Sequence, residues 1–182
     1  MMTLKTTLTT AAIALTLMGG IAFAKDLSAA DKGALETRIE GFEQAFKTNN
    51  MDVVIGVVPP KIIAMIATKT GQDPDDLRKA MIKATKAGMA AVTIVSYDMA
   101  LENATFAETS AGRGYALIPT ETVMTVNEDT MQSNTQTLGF ADEGVWYLVR
   151  IDDLQQVQLL TEVYPEFSGI DFPAGTMKMV KD

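Results

Sequence analysis

The chain contains no cysteine, no histidine and a single tryptophan. Without cysteine no disulfide can brace the fold. Stability must then come from buried apolar surface, which a 47% hydrophobic composition can supply. Without histidine or cysteine, the Ser-His-Asp triad, the Cys-His pair and the usual zinc sites cannot be assembled. Any catalysis would rest on Asp, Glu, Tyr, Lys or Arg. Positive charge is also scarce: 15 basic against 23 acidic side chains leave a net charge of −8. Such a surface repels phosphate backbones, which argues against nucleic acid as a partner.

The opening residues read as an export signal. Lys5 precedes an apolar run from Leu8 to about Ala22, which ends in the small-x-small pattern Ala22-Phe23-Ala24. Threonines and Gly19-Gly20 interrupt the run, which is shorter than the ~20 residues a membrane span wants. Cleavage is expected after Ala24. Residues 25–182 are then expected to form a single α+β domain in the periplasm or outside the cell, with no stable membrane insertion.

What remains reads as helices first and strands second. Ser28 with Asp31 resembles a capping box, and Leu35, Ile39, Phe42 and Phe46 recur at helical spacing. Asn49-Asn50 is the expected stop. "MDVVIGVVPP" reads as a short helical turn or an extended entry, and Pro60 suits the first turn of a helix that Gly71 ends. Asp73 and Pro74 open a further helix. Its face of Leu77, Met81, Ala84, Gly88 and Ala91 is mostly small, which predicts close packing on a sheet. The acids at 73, 75 and 76 also invite a calcium reading. They lack the glycine and distal glutamate of an EF-hand loop, and capping accounts for them.

From Val92 the pattern turns to period two. Four strands are expected: 92–109, 112–126, 130–140 and 144–151. Short connections at 127–129 and 141–144 make the last three an antiparallel meander. Pro119 predicts a bulge or an edge. Asp153 caps a final helix that Pro165 ends, and the tail reads as a short extended return along the body.

In "GVWYLVRI", Val145, Tyr147, Val149 and Ile151 share one face, while Trp146, Leu148 and Arg150 share the other. Both faces are largely apolar, so both should be covered. Helices can cover one. The other would need the tail, a partner subunit, or a curled sheet with a ligand in its hollow, where Trp146 and Arg150 could stack on and neutralise an anion. The alternative is a core tryptophan with an arginine at the rim.

"IEGFEQAFKTNNMDVVIGVVPP" (39–60) and "TLGFADEGVWYLVRID" (137–152) together resemble the nuclear-transport-factor-2-like superfamily, which includes ketosteroid isomerase and the SnoaL-type cyclases. The resemblance covers most of residues 28–152, while the final helix and tail depart from the minimal plan. It implies N-terminal helices packed on a strongly bent meander sheet, a cone with a pocket between them, and frequent homodimers. Tyr97, Asp98, Arg113, Tyr115 and Arg150 offer the residue types such pockets use, although none matches a catalytic motif in order and spacing.

The expected ligand-binding set is therefore Tyr97, Arg113, Tyr115, Trp146 and Arg150, with no catalytic residue, no metal and no cofactor. The leading expectation is a non-catalytic exported domain that binds a small apolar or anionic ligand, or a protein partner, as a homodimer. One alternative is an isomerase or dehydratase using a buried acid such as Asp98 with a tyrosine. Another is a structural, envelope-associated protein. Met177-Lys178-Met179 has the spacing of a thioether pair for Cu(I), but two methionines alone make a poor site, and methionine commonly fills gaps.

Overall fold

The computed structural model describes residues 27–180, so the expected leader and its cleavage point after Ala24 lie outside the described residues. Among the described residues four helices come first. The Ser28 hydroxyl accepts a hydrogen bond from the Asp31 amide at 3.1 Å and opens α1 (Ala29–Lys47). A short α2 (Met51–Ile55) leads into α3 (Pro60–Thr70), which Gly71 closes at φ +67°. The Asp73 carboxylate accepts from the amides of Asp75 and Asp76 at 2.9 and 3.2 Å, capping α4 (Pro74–Met89). Among the described residues no helix is long and apolar enough to cross a membrane.

The sheet comes next: β1 (Val92–Met99), β2 (Thr105–Glu108), β3 (Gly114–Val126), β4 (Asp129–Asp142) and β5 (Val145–Ile151). Then come α5 (Leu154–Val163) and the returning strand β6 (Thr176–Met179). All strand pairings are antiparallel, and the sheet curls strongly into a half-barrel. The molecule is thus α+β, with helices leading.

The long β3–β4 hairpin is the spine. It turns through Asn127 and Glu128, both at positive φ, and β4 turns into β5 through Glu143 and Gly144, also both at positive φ. Two-residue turns of this hand match the twist of the strands they join.

One strand expectation needs correction and a second is met in one of its two forms. The run 92–109 is not one strand: a 3₁₀ turn at Leu101–Asn103 breaks it, and β1 and β2 pair with successive stretches of β3. Pro119 is not at a bulge but does meet the expectation of an edge, since neither β1 nor β2 pairs with it. It sits in β3 where the neighbour changes from β1 to β2, and its carbonyl still accepts from the Ala100 amide at 2.9 Å. The missing N–H falls where no strand residue needs it.

Both faces of the sheet carry a core. On the inner face, Leu35 and Ile39 of α1 and Val57 pack on Ala116, Ile118, Trp146 and Leu148. On the outer face, Ile62 of α3, Leu160 of α5, Tyr164 and Phe167 pack on Tyr115, Leu138, Phe140 and Ile151. The two-sided burial expected of β5 is therefore met within one molecule, by α1 on one side and by α3 with the C-terminal elements on the other. The free edge of β5 is met as well, since the Leu148 amide donates to the Val57 carbonyl at 2.9 Å.

The expectation for α4 also needs correction. None of its residues is buried, and Ala84, Gly88 and Ala91 are exposed. The helix leans on α2 and α3 and stands off from the sheet.

Candidate functional site

The stand-off of α4 leaves a cavity of about 480 Å³ between the helices and the inner face of the sheet. Phe42 and Phe46 of α1 wall it on one side, and Val54, Ile55, Val57 and Val58 on another. Thr85, Gly88 and Met89 of α4 form the roof, over a floor that includes Ile94, Met99, Thr122, Met124, Thr137 and Leu148. The lining is overwhelmingly apolar. Among the described residues its polar groups are threonine hydroxyls, Tyr97 and Arg150, with no carboxylate. The Thr137 hydroxyl is already engaged with that of Thr120 at 2.8 Å.

A bulge in β1 decides which side chain reaches this space. The register with β3 slips between Ile94 and Ser96, and Val95 is turned out to solvent, 62% exposed. Plain alternation from Ile94 would send Ser96 and Asp98 inward. With the extra residue the phase inverts, so Tyr97 faces Thr122 and lines the cavity. Asp98 is left exposed on the opposite side, in a polar groove beside Glu121 and Pro173. The acid and the tyrosine that an isomerase would need together thus lie on different faces.

Tyr97 packs against Phe46 and Phe42, with ring centroids 5.0 and 5.7 Å away. Among the described residues its hydroxyl has no hydrogen-bond partner. Burial pushes its pKa well above the ordinary phenol value, partly offset by the nearby charge of Arg150. The group is therefore a neutral donor at any physiological pH. Arg150 is half-exposed, its Nε held by Asp152 at 2.7 Å and its Nη2 3.4 Å from the Ser133 hydroxyl. Tyr97 and Arg150 make the polar corner of an otherwise greasy chamber.

The other three expected site residues lie elsewhere. Trp146 shares the face of Arg150 but is only 6% exposed, packed beneath α1 with Leu35 and Ile39, and lines a separate shallow hollow. It is a core tryptophan, as the alternative had it. Tyr115 is buried on the outer face, edge-on to Phe167 at 5.7 Å.

Arg113 belongs to a polar cluster on that outer side which the sequence pattern did not disclose. At its centre is Asp142, 7% exposed. The carboxylate takes Lys61 Nζ at 2.8 Å and the Tyr164 hydroxyl at 3.0 Å, with an Arg113 Nη1 at 3.6 Å. Arg113 also donates to the Ala141 carbonyl and pairs with Glu166 at 2.7 Å. Burial alone would raise the Asp142 pKa. The hydrogen bonds from Lys61 and Tyr164, with the charges of Lys61 and Arg113, outweigh it and hold the carboxyl below its usual range. A carboxylate so held is a poor proton acceptor, and the cluster works as a clamp joining α3, β4 and the turn after α5. The available signal is strand phase: Asp142 lies two residues beyond Phe140 and so shares its covered face.

Among the described residues no group of three or more His, Cys, Asp or Glu side chains is placed to hold a metal ion. No family model matches the chain, and no curated protein or solved structure matches it.

Proposed function

We propose that the protein binds, without transforming, a small and largely apolar ligand that carries one acceptor or anionic end. The observation that carries this reading is the cavity of about 480 Å³ beneath α4, lined by apolar side chains, with Tyr97 and Arg150 at one corner and no carboxylate in its lining. Its volume falls within the range of small-molecule sites, which are mostly apolar with a few placed polar groups. The ligand's apolar body fills the chamber, and its carbonyl or carboxylate accepts from the Tyr97 phenol beneath the Arg150 charge.

The cavity's place, between helices and the inner face of a curled sheet, supports kinship with the nuclear-transport-factor-2-like cone. Export to the periplasm or the medium belongs to the same reading, and N-terminal sequencing of protein from its native cells should then begin at Lys25. Both faces of β5 are covered by the chain itself, so the burial that motivated a homodimer needs no second copy, and sedimentation of the purified protein decides that point.

Gly88 lines the cavity and has open space around it, with nothing within 4 Å of an added Cβ. A Gly88→Phe variant should plug the chamber and leave the fold intact. The unaltered protein should bind a naphthalene sulfonate probe saturably at one site, and Gly88→Phe should abolish that binding. Tyr97→Phe should weaken it by about 5- to 12-fold, the worth of one hydrogen bond of roughly 1–1.5 kcal/mol. Probe binding that is indifferent to Gly88→Phe would remove the cavity from consideration.

A further inference from the structure

Strand register places methionines from three neighbouring strands in one row. Met124 of β3 stands opposite Met131 of β4, and Met131 stands opposite Met179 of β6. Directly opposed residues of an antiparallel ladder project to the same side, with Cβ atoms about 4.5–5.5 Å apart. Met177 shares that side, two residues along β6 and opposite Ser133. Lys178 lies between them in sequence and projects to the other side, so its charge is kept away. Asp129, two residues before Met131, adds a negative charge on the methionine side.

The row begins at the cavity wall, which Met124 lines, and runs out to solvent, where Met177 and Met179 are each 59% exposed. Methionine in a core fills gaps, but these outer thioethers fill none. Thioethers are soft, neutral donors, and among biological ions they suit Cu(I).

We propose that Met131, Met177 and Met179 form a binding site for a soft monovalent cation of the Cu(I) type. Two strands at a fixed register hold the three thioethers. The flexible side chains need only lean together, and Asp129 with the net negative surface favours a cation. No ligand has to lose a proton, so affinity should stay flat across the range where imidazole and thiolate sites titrate. The site does not depend on the apolar-ligand reading, and its test uses different variants and a different probe.

The test is a titration of the purified protein, carrying ¹³C-methyl methionine, with Ag(I) as a redox-inert stand-in. Anaerobic competition for Cu(I) against a chromophoric chelator accompanies it. One equivalent of Ag(I) should move the methyl resonances of Met131, Met177 and Met179 and leave that of Met81, on α4, in place. Met131→Leu and Met179→Leu should each weaken Cu(I) binding at least about tenfold, with little change in thermal stability, since leucine keeps the volume. Met81→Leu should not alter it. Unmoved methyl resonances at one equivalent, or a Met131→Leu/Met177→Leu/Met179→Leu protein that competes for Cu(I) as well as its parent, would overturn the site.

Discussion

Asp142 shows how much of this molecule turns on single side chains held between elements. Its carboxylate joins Lys61 of α3, Arg113 before β3 and Tyr164 after α5, three segments far apart in sequence. Because its folded pKa lies below the unfolded value, the charged form stabilises the fold above the ordinary carboxylate pKa of about 4. That contribution is lost as pH falls through the lower, folded value. Denaturant melts between pH 7 and pH 3 should therefore show a loss of stability at the acid end to which Asp142 contributes. Asp142→Asn should flatten that part of the profile. At pH 7 it should cost about 1–3 kcal/mol, because the Tyr164 hydroxyl and Arg113 lose a charged partner in a buried place. Tyr164 adds an alkaline counterpart: burial and the bond to Asp142 raise its pKa, so stability is full below pH about 10 and declines as pH rises toward the folded value. An acid profile that Asp142→Asn leaves unchanged would assign the transition to other carboxylates.

At the level of elements, what the sequence discloses is what neighbours in the chain determine. Ser28 and Asp73 cap the helices they were expected to cap, and Gly71 closes α3. The turns at 127–128 and 143–144 fall in the expected connections. Features that depend on distant partners were not legible. The bulge at Val95 is fitted against β3, and it alone decides that Tyr97 and not Asp98 reaches the cavity. The small face of α4 is compatible with tight packing, but only the assembled helices show that α4 leans on α2 and α3 and leaves a chamber. The close approach of a helix to the sheet falls instead at Gly139, on β4. There an added Cβ would come within 2.9 Å of the Leu35 δ-methyl of α1, with Ile118 and Leu148 also in contact. Leu35 is completely buried, so its δ-methyl can yield only by displacing its own neighbours. Gly139→Val should therefore push α1 off the sheet and cost about 1–3 kcal/mol in thermal or urea unfolding, the usual range for overpacking. Paired with Leu35→Ala, which makes room, the two losses should add to less than their sum. Strict additivity would mean that the two side chains do not share this contact.

Across the whole molecule, the sheet carries apolar side chains on both faces and has helices of its own chain for each. Helix α1 serves the inner face, where α4 stands clear and leaves the cavity, and α3 lies on the outer one. The outer face depends on the C-terminal elements past Asp153: Leu160, Tyr164 and Phe167 are all nearly or wholly buried against Tyr115, Leu138, Phe140 and Ile151. These elements lie beyond the minimal plan that the resemblance implied, yet they close half of the core. Their rings pack edge-on, with Phe140 at 4.9 Å from Tyr164 and 5.1 Å from Phe167. Deleting a single aromatic of this kind costs about 3–5 kcal/mol, and whole domains hold only about 5–15 kcal/mol in reserve. A chain ended after Asp153 loses Leu160, Tyr164 and Phe167 together, along with the Tyr164 bond to Asp142 and the Glu166 partner of Arg113. Such a protein should lose its cooperative thermal transition and bind a hydrophobic dye strongly while keeping much of its far-ultraviolet dichroism, the behaviour of a collapsed but unpacked state. If it instead melted sharply, close to the temperature of the full chain, the inner face alone would be the folding core, and the C-terminal helix would be an ornament on a domain already complete.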